Sequence, residues 1–165
     1  MLVYHPAFDV YHGVFRALLI LENTPGKSMP TDTLRIVDLY YVFPYLLADL
    51  EFPKGAGVKG RKLAGTPSRF NTLPSPKTFL AQSKGLHKLI AAALAGRELI
   101  SGDALKEGVV KRTENPVPDE LLRHAAAEDL DLAEYLGTKI ATVPLLGKAG
   151  LKARSKLMEF RYDPT

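Results

Sequence analysis

A mainly α single domain with a small β-hairpin wing is the fold these 165 residues predict, on three observations. Apolar residues recur at helical spacing through most of the chain. Two short helical segments sit back to back across a glycine-containing turn, and two short β-type runs around a polar turn follow at once. Helix, helix, hairpin is a winged-helix-like (helix-turn-helix) order. The length suits one domain with a real core, and 46% apolar with 24% charged residues is an ordinary globular balance. Residues 1–165 therefore read as one domain: N-terminal helices over 1–51, a basic Gly/Pro-rich loop over 52–75, a winged-helix-like core over 76–113 and C-terminal helices over 114–165.

The first helix starts after Asp9, a good N-cap. Val10, Val14, Leu18 and Leu21 form its stripe, with Tyr11, Phe15 and Ile20 beside it. Two prolines and a glycine in TPGKSMP break it, and Thr31 or Thr33 opens the next. There Leu34, Val37, Tyr41 and Leu47 continue an apolar face across Pro44, which removes an amide donor and splits the segment into a long helix and a short one.

Glycines and prolines crowd residues 52–75, which have no helical period and read as a long loop. Ser75 before Pro76 is a helix start, with Phe79 and Leu80 buried and Gly85 as its end. Leu86, Leu89, Ile90 and Leu94 share one face of the following helix, which Gly96 closes. The wing is read in ELIS at 98–101 and GVVKRT at 108–113, around a turn containing Gly102 and Asp103. Strands this short also fit a turn around a helix end. Pro118 or Asp119 opens a helix running through Leu136, acidic at Glu128, Asp129, Asp131 and Glu134. A basic helix over 148–158 and a terminal strand in MEFRYD complete the chain, which has no internal repeat.

Charge is unevenly placed. Residues 1–51, 52–97 and 98–165 carry −3, +9 and −2, within a total of +4. The middle segment holds Lys54, Lys59, Arg61, Lys62, Arg69, Lys77, Lys84, Lys88 and Arg97 and no acid. A block without interleaved acids makes a positive field suited to a polyanion. Nucleic acid is one partner for it; an acidic protein patch or plain solubility are the others. The expected nucleic-acid contacts are Lys54, Lys59, Arg61, Lys62, Arg69, Lys77, Lys84 and Lys88, with Lys111 and Arg112 on the wing.

Catalytic signals are weak. Without cysteine there is no disulfide, thiol nucleophile or Cys-based zinc site, which suits a reducing cytoplasm. Neither a signal-peptide layout at the N-terminus nor an apolar run long enough to span a membrane is present. Gly26, Lys27 and Ser28 imitate the end of a phosphate loop, but Leu21 stands where that motif needs glycine. His5 and His12, with Asp9, make a poor metal set because Pro6 and the helix start separate them. His87 and His124 have no carboxylate or hydroxyl at a spacing that makes a nucleophile and base. The expectation is no enzyme, no cofactor and no metal. Tyr40, Tyr41, Phe43 and Tyr45 exceed what one helical face can bury, so they are core turned inward at Pro44 or a partner-binding patch.

Two stretches carry a family pattern: YHPAFDVYHGVFR at 4–16 and LRIVDLYYVFP at 34–44. The spacing of Tyr4-His5-Pro6, Asp9, Tyr11-His12 and Phe15-Arg16, then Arg35-Ile36, Asp38, Tyr40 and Phe43-Pro44, resembles the small middle components of bacterial ABC-three-component (Lamassu-like) conflict and defence systems. After Tyr11-His12 the pattern would have a bulkier residue where this chain has Gly13. The resemblance implies a non-catalytic adaptor of winged-helix type in an anti-phage or anti-plasmid complex. It would bridge an SMC/Rad50-like ABC ATPase and an effector subunit, such as a nuclease, and contact DNA with little sequence selectivity. The alternative is a free-standing winged-helix transcriptional regulator whose helix around Leu86 to Leu94 reads the major groove. Its exposed His87, Lys88 and alanines are a poor set for base edges.

Overall fold

The computed structural model of the protein describes residues 8–67, 72–125, 129–161 and 163. Helix α1 (Val10–Glu22) begins as its sequence demands, with the Asp9 side chain accepting from the Tyr11 amide at 2.8 Å. Strand β1 (Ser28–Pro30) leads into α2 (Thr31–Val42), and Pro44 turns the chain into a 3-10 helix, Pro44–Asp49. α1 packs on α2 and, across Gly13, on α5 (Lys84–Gly96). A Cβ at Gly13 would run into the Ile90 side chain, so the small residue sets the closeness of α1 and α5. Ile20, Leu21, Ile36, Val37, Leu47, Leu94, Leu136 and Ile140 have no exposed surface, and they join the N-terminal, central and C-terminal elements into one core.

The residues expected to form a basic loop contain a helix, α3 (Gly57–Ala64). Intrinsic propensity disfavours glycine in a helix by about 1 kcal/mol each, but packing overrides it here. Gly60 faces the Phe52 ring and the Tyr135 hydroxyl so closely that any side chain would collide with both. The glycine pattern that looks like loop chemistry is thus a small face pressed against its neighbours.

α4 (Pro76–Gln82) starts at Ser75 as expected, but it ends at Ser83 and Gly85 lies inside α5. The expected hairpin is different in kind. Ser101 caps a five-residue helix, α6 (Gly102–Lys106), by accepting from the Ala104 amide, so the polar turn is helical. β2 (Val109–Lys111) takes β1 as its antiparallel partner, pairing Met29 with Val110, and only an Ile100–Arg112 bridge joins it to the ELIS run. The fold is mainly helical with a two-stranded sheet closed between distant segments, and the wing between adjacent runs is not formed.

The expected long acidic helix is two, α7 (Asp119–Ala125) and α8 (Leu130–Tyr135), the second running into a π-helical turn, Leu136–Ile140. The last helix, α9 (Leu151–Ser155), is shorter than expected and stops where Lys156 turns left-handed (φ 57°). The described part of MEFRYD is not a strand.

Candidate functional site

The basic segment presents its charge on helices. Lys59, Arg61 and Lys62 project from α3, with Lys54 in the turn before it, Lys77 on α4 and Lys84 and Lys88 on α5, all exposed. Lys59 Nζ meets Asp131 Oδ1 of α8 at 2.6 Å, and that bond raises the lysine pKa. Arg61 lies over the Phe52 ring, 5.5 Å from its centroid. Among the described residues, Lys54, Lys62, Lys77, Lys84 and Lys88 have no carboxylate within ion-pair distance. Lys111 is exposed on β2. Arg69 lies outside the described residues.

Arg112 has an internal role. Its Nε meets Glu22 Oε1 at 2.6 Å, its terminal nitrogens donate to the Leu99 and Asn115 carbonyls, and its side chain is 5% exposed. It ties α1 to the strand end rather than facing solvent. The fold also brings up a cation that segment composition could not offer: Lys139 of the π-helical turn lines an open groove of about 510 Å³ with Lys54 and Arg154. No spacing in the sequence links these three.

The aromatic cluster is core. Tyr40, Tyr41 and Phe43 are 1, 8 and 3% exposed, and Phe43 stacks edge-on with Phe79 at 5.6 Å between centroids. Burial pushes the Tyr40 hydroxyl well above its usual range. Tyr45 is half-buried, and its hydroxyl accepts from the Leu73 amide at 2.6 Å, pinning the chain before α4. Three of the four expected partner-binding aromatics are therefore buried within the chain itself.

His87, which seemed to lack a carboxylate, has one 49 residues away. Its Nε2 lies 3.1 Å from Asp38 Oδ2 and its Nδ1 lies 3.0 Å from the Ser83 carbonyl oxygen. Arg16 completes the cluster, its Nε 2.6 Å from Asp38 Oδ1 and its terminal nitrogen 3.1 Å from Oδ2. Burial alone would push the Asp38 carboxyl up; the Arg16 charge and the hydrogen bonds from His87 and Arg16 outweigh it and hold the group at about 2. Both imidazole nitrogens face acceptors, and the nearby Ser83 hydroxyl donates to the Leu80 carbonyl. The cluster thus has no nucleophile at hand and no free nitrogen to serve as base. It clamps α1, α2 and α5 together.

His12 Nδ1 lies 3.2 Å from Asp9 Oδ2. His5 and the side chain of His124 lie outside the described residues. Among those described, no three His, Cys, Asp or Glu side chains gather as a metal-holding group, and no helix is long and apolar enough to cross a membrane.

These features define a small helical protein with a one-sided basic surface and an ionic clamp in its core. The chain belongs to the ABC-three component (ABC-3C) system Middle Component 5 family, whose model matches residues 2–163. It is thus a component of a multi-subunit system, of the kind that is non-catalytic. No curated protein and no solved structure matches it.

Proposed function

We propose that the protein is a cytoplasmic adaptor that bridges the ABC ATPase and the effector component of an antiviral ABC-three-component system and contacts DNA through its basic helical face. The observation that carries the DNA contact is the set of exposed lysines on α3 to α5 that have no carboxylate partner among the described residues. Such cations neutralise phosphates and release counterions, which yields affinity without base readout. Family membership supports the adaptor role, because a middle component works with the other components. The clamp and the buried aromatics fit a rigid scaffold better than a catalytic site.

Co-expression with the ATPase and effector components of its own system tests the adaptor role: a stable ternary complex on size exclusion is expected, and elution of the chain alone would overturn it. Filter binding of the complex to duplexes of unrelated sequence tests the DNA contact. Equal affinities that fall steeply with salt are expected, and no binding at low salt would remove the nucleic-acid role.

A further inference from the structure

An apolar groove of about 320 Å³ lies between α1, the first half of α2 and α5, closed at one end by α6 and β2. Ala17, Leu34, Ile90, Ala91, Leu105 and Val110 line it. Its rim is ionic: Lys84 and Lys88 stand one turn apart on α5, facing Arg35 of α2. The two carboxylates that also line the groove are already engaged. Asp32 Oδ1 accepts from Arg35 at 3.1 Å, and Asp38 is held by Arg16 and His87. Lys84 and Lys88 have no carboxylate in reach among the described residues, and Arg35 Nε is buried there without a hydrogen-bond partner. An apolar pit with an uncompensated positive rim selects for an occupant that is apolar in its body and anionic at its edge.

We infer that this groove docks an acidic amphipathic helix of another subunit of the assembly, with an apolar side chain in the pit and carboxylates against Lys84 and Lys88. The inference rests on the adaptor reading. A groove of this size takes one or two large side chains, the geometry in which a helix is read by its anchors at one-turn spacing. A nucleic acid matches the rim but has no aliphatic group for the pit. The wall is held in place before binding, because the ionic clamp fixes α2 to α5 and Gly13 seats α1 on Ile90. Preorganisation of this kind lowers the ordering cost of association. Leu89, 59% exposed on α5, extends the apolar surface beyond the rim.

The test uses the reconstituted complex. A photo-crosslinkable benzoylphenylalanine at Ala92, exposed on the groove edge, should link to a segment of the ATPase or effector component that mass spectrometry identifies as acidic and amphipathic. Ala92→Trp should fill the pit and weaken assembly by about thirtyfold or more. The pair Lys84→Glu and Lys88→Glu, which leaves the pit untouched, should weaken it by about tenfold at low salt, with the difference shrinking as salt rises. Thermal unfolding of each variant alone shows whether the fold is intact. If the complex forms but the crosslink goes to a second copy of this chain, to DNA, or to a basic segment, the inference is wrong while the adaptor reading stands. Wild-type assembly by both variants has the same meaning. Failure of the wild-type chain to assemble at all would overturn both.

Discussion

Arg16 of α1 and Asp38 of α2 face each other in the interior, Nε to Oδ1 at 2.6 Å, both nearly without solvent exposure. They come from the two stretches that carry the family pattern, so part of that pattern is an ion pair in the core. Removing one partner leaves the other charge buried and uncompensated, at a cost of about 3 to 5 kcal/mol. Asp38→Ala and Arg16→Ala should each lower unfolding stability by that much in urea titrations. Their double variant should cost less than the sum of the two.

The same pair makes stability depend on pH in a defined direction. An unfolded aspartate titrates near 3.9, and in the folded protein the Asp38 carboxyl is held at about 2. A depressed folded-state pKa contributes stability that is fully present above about pH 4 and lost as pH falls from about 4 towards 2, on the order of 2 kcal/mol in all. Asp38→Asn, less stable at neutral pH, should lack this component, so its stability should fall less than the wild type's over that window. Parallel slopes for the two proteins would show that other carboxylates dominate.

The aromatic cluster splits cleanly. Tyr40, 1% exposed, should cost about 3 to 5 kcal/mol of folding stability on truncation to Ala. Tyr45→Phe removes only the acceptor of the Leu73 amide and should cost about 1 kcal/mol. Thermal melts with pull-downs on the same variants check this. A Tyr40→Ala protein that melts like wild type but fails to assemble would return that residue to the interface.

How much of this was legible in the sequence depends on how local the signal was. The Asp9 cap, the Ser75-Pro76 start and the break at Pro44 were readable because each acts within a few residues. The helix hidden in the glycine-rich segment was not, because it exists through the contact of Gly60 with Phe52 and Tyr135. Neither was the sheet, since β-type residues at 109–111 do not say that Met29 is their neighbour's side chain. At the candidate site the basic face followed from composition. The His87–Asp38 contact and the company of Lys139 with Lys54 did not, because they depend on how helices cross.

Gly137 gives a steric prediction. A Cβ there would lie 2.7 Å from the Asn23 carbonyl oxygen, a backbone atom that cannot swing aside. Gly137→Ala should therefore destabilise the fold by about 1 to 3 kcal/mol despite its gain in helix propensity. Gly85→Ala, with open space around it inside α5, should stabilise by up to about 1 kcal/mol. Chemical denaturation of both variants reads the contrast directly, and equal effects would mean that α1 and the π-helical turn yield easily to each other.

The Lys59–Asp131 pair gives the sharpest test of the basic face. The acid draws one of the three α3 cations away from a phosphate, at 2.6 Å on an exposed surface. If α3 meets DNA, Asp131→Asn removes a negative charge from the edge of that face and frees Lys59, so nonspecific duplex affinity should rise a few-fold at low salt. Replacing Lys59, Arg61 and Lys62 with Glu should abolish binding at moderate salt, whereas replacing them with Gln should flatten the slope of log affinity against log salt by roughly 2.7, about 0.9 for each lost phosphate contact. The two manipulations act in opposite directions on one surface, which separates a DNA contact from a general effect of net charge. Equal changes from charge substitutions at Lys106 and Lys148, outside the basic segment, would indicate that only overall charge matters. No change from either α3 manipulation would move the nucleic-acid surface away from this helix, to the Lys54–Lys139 groove or off the protein altogether.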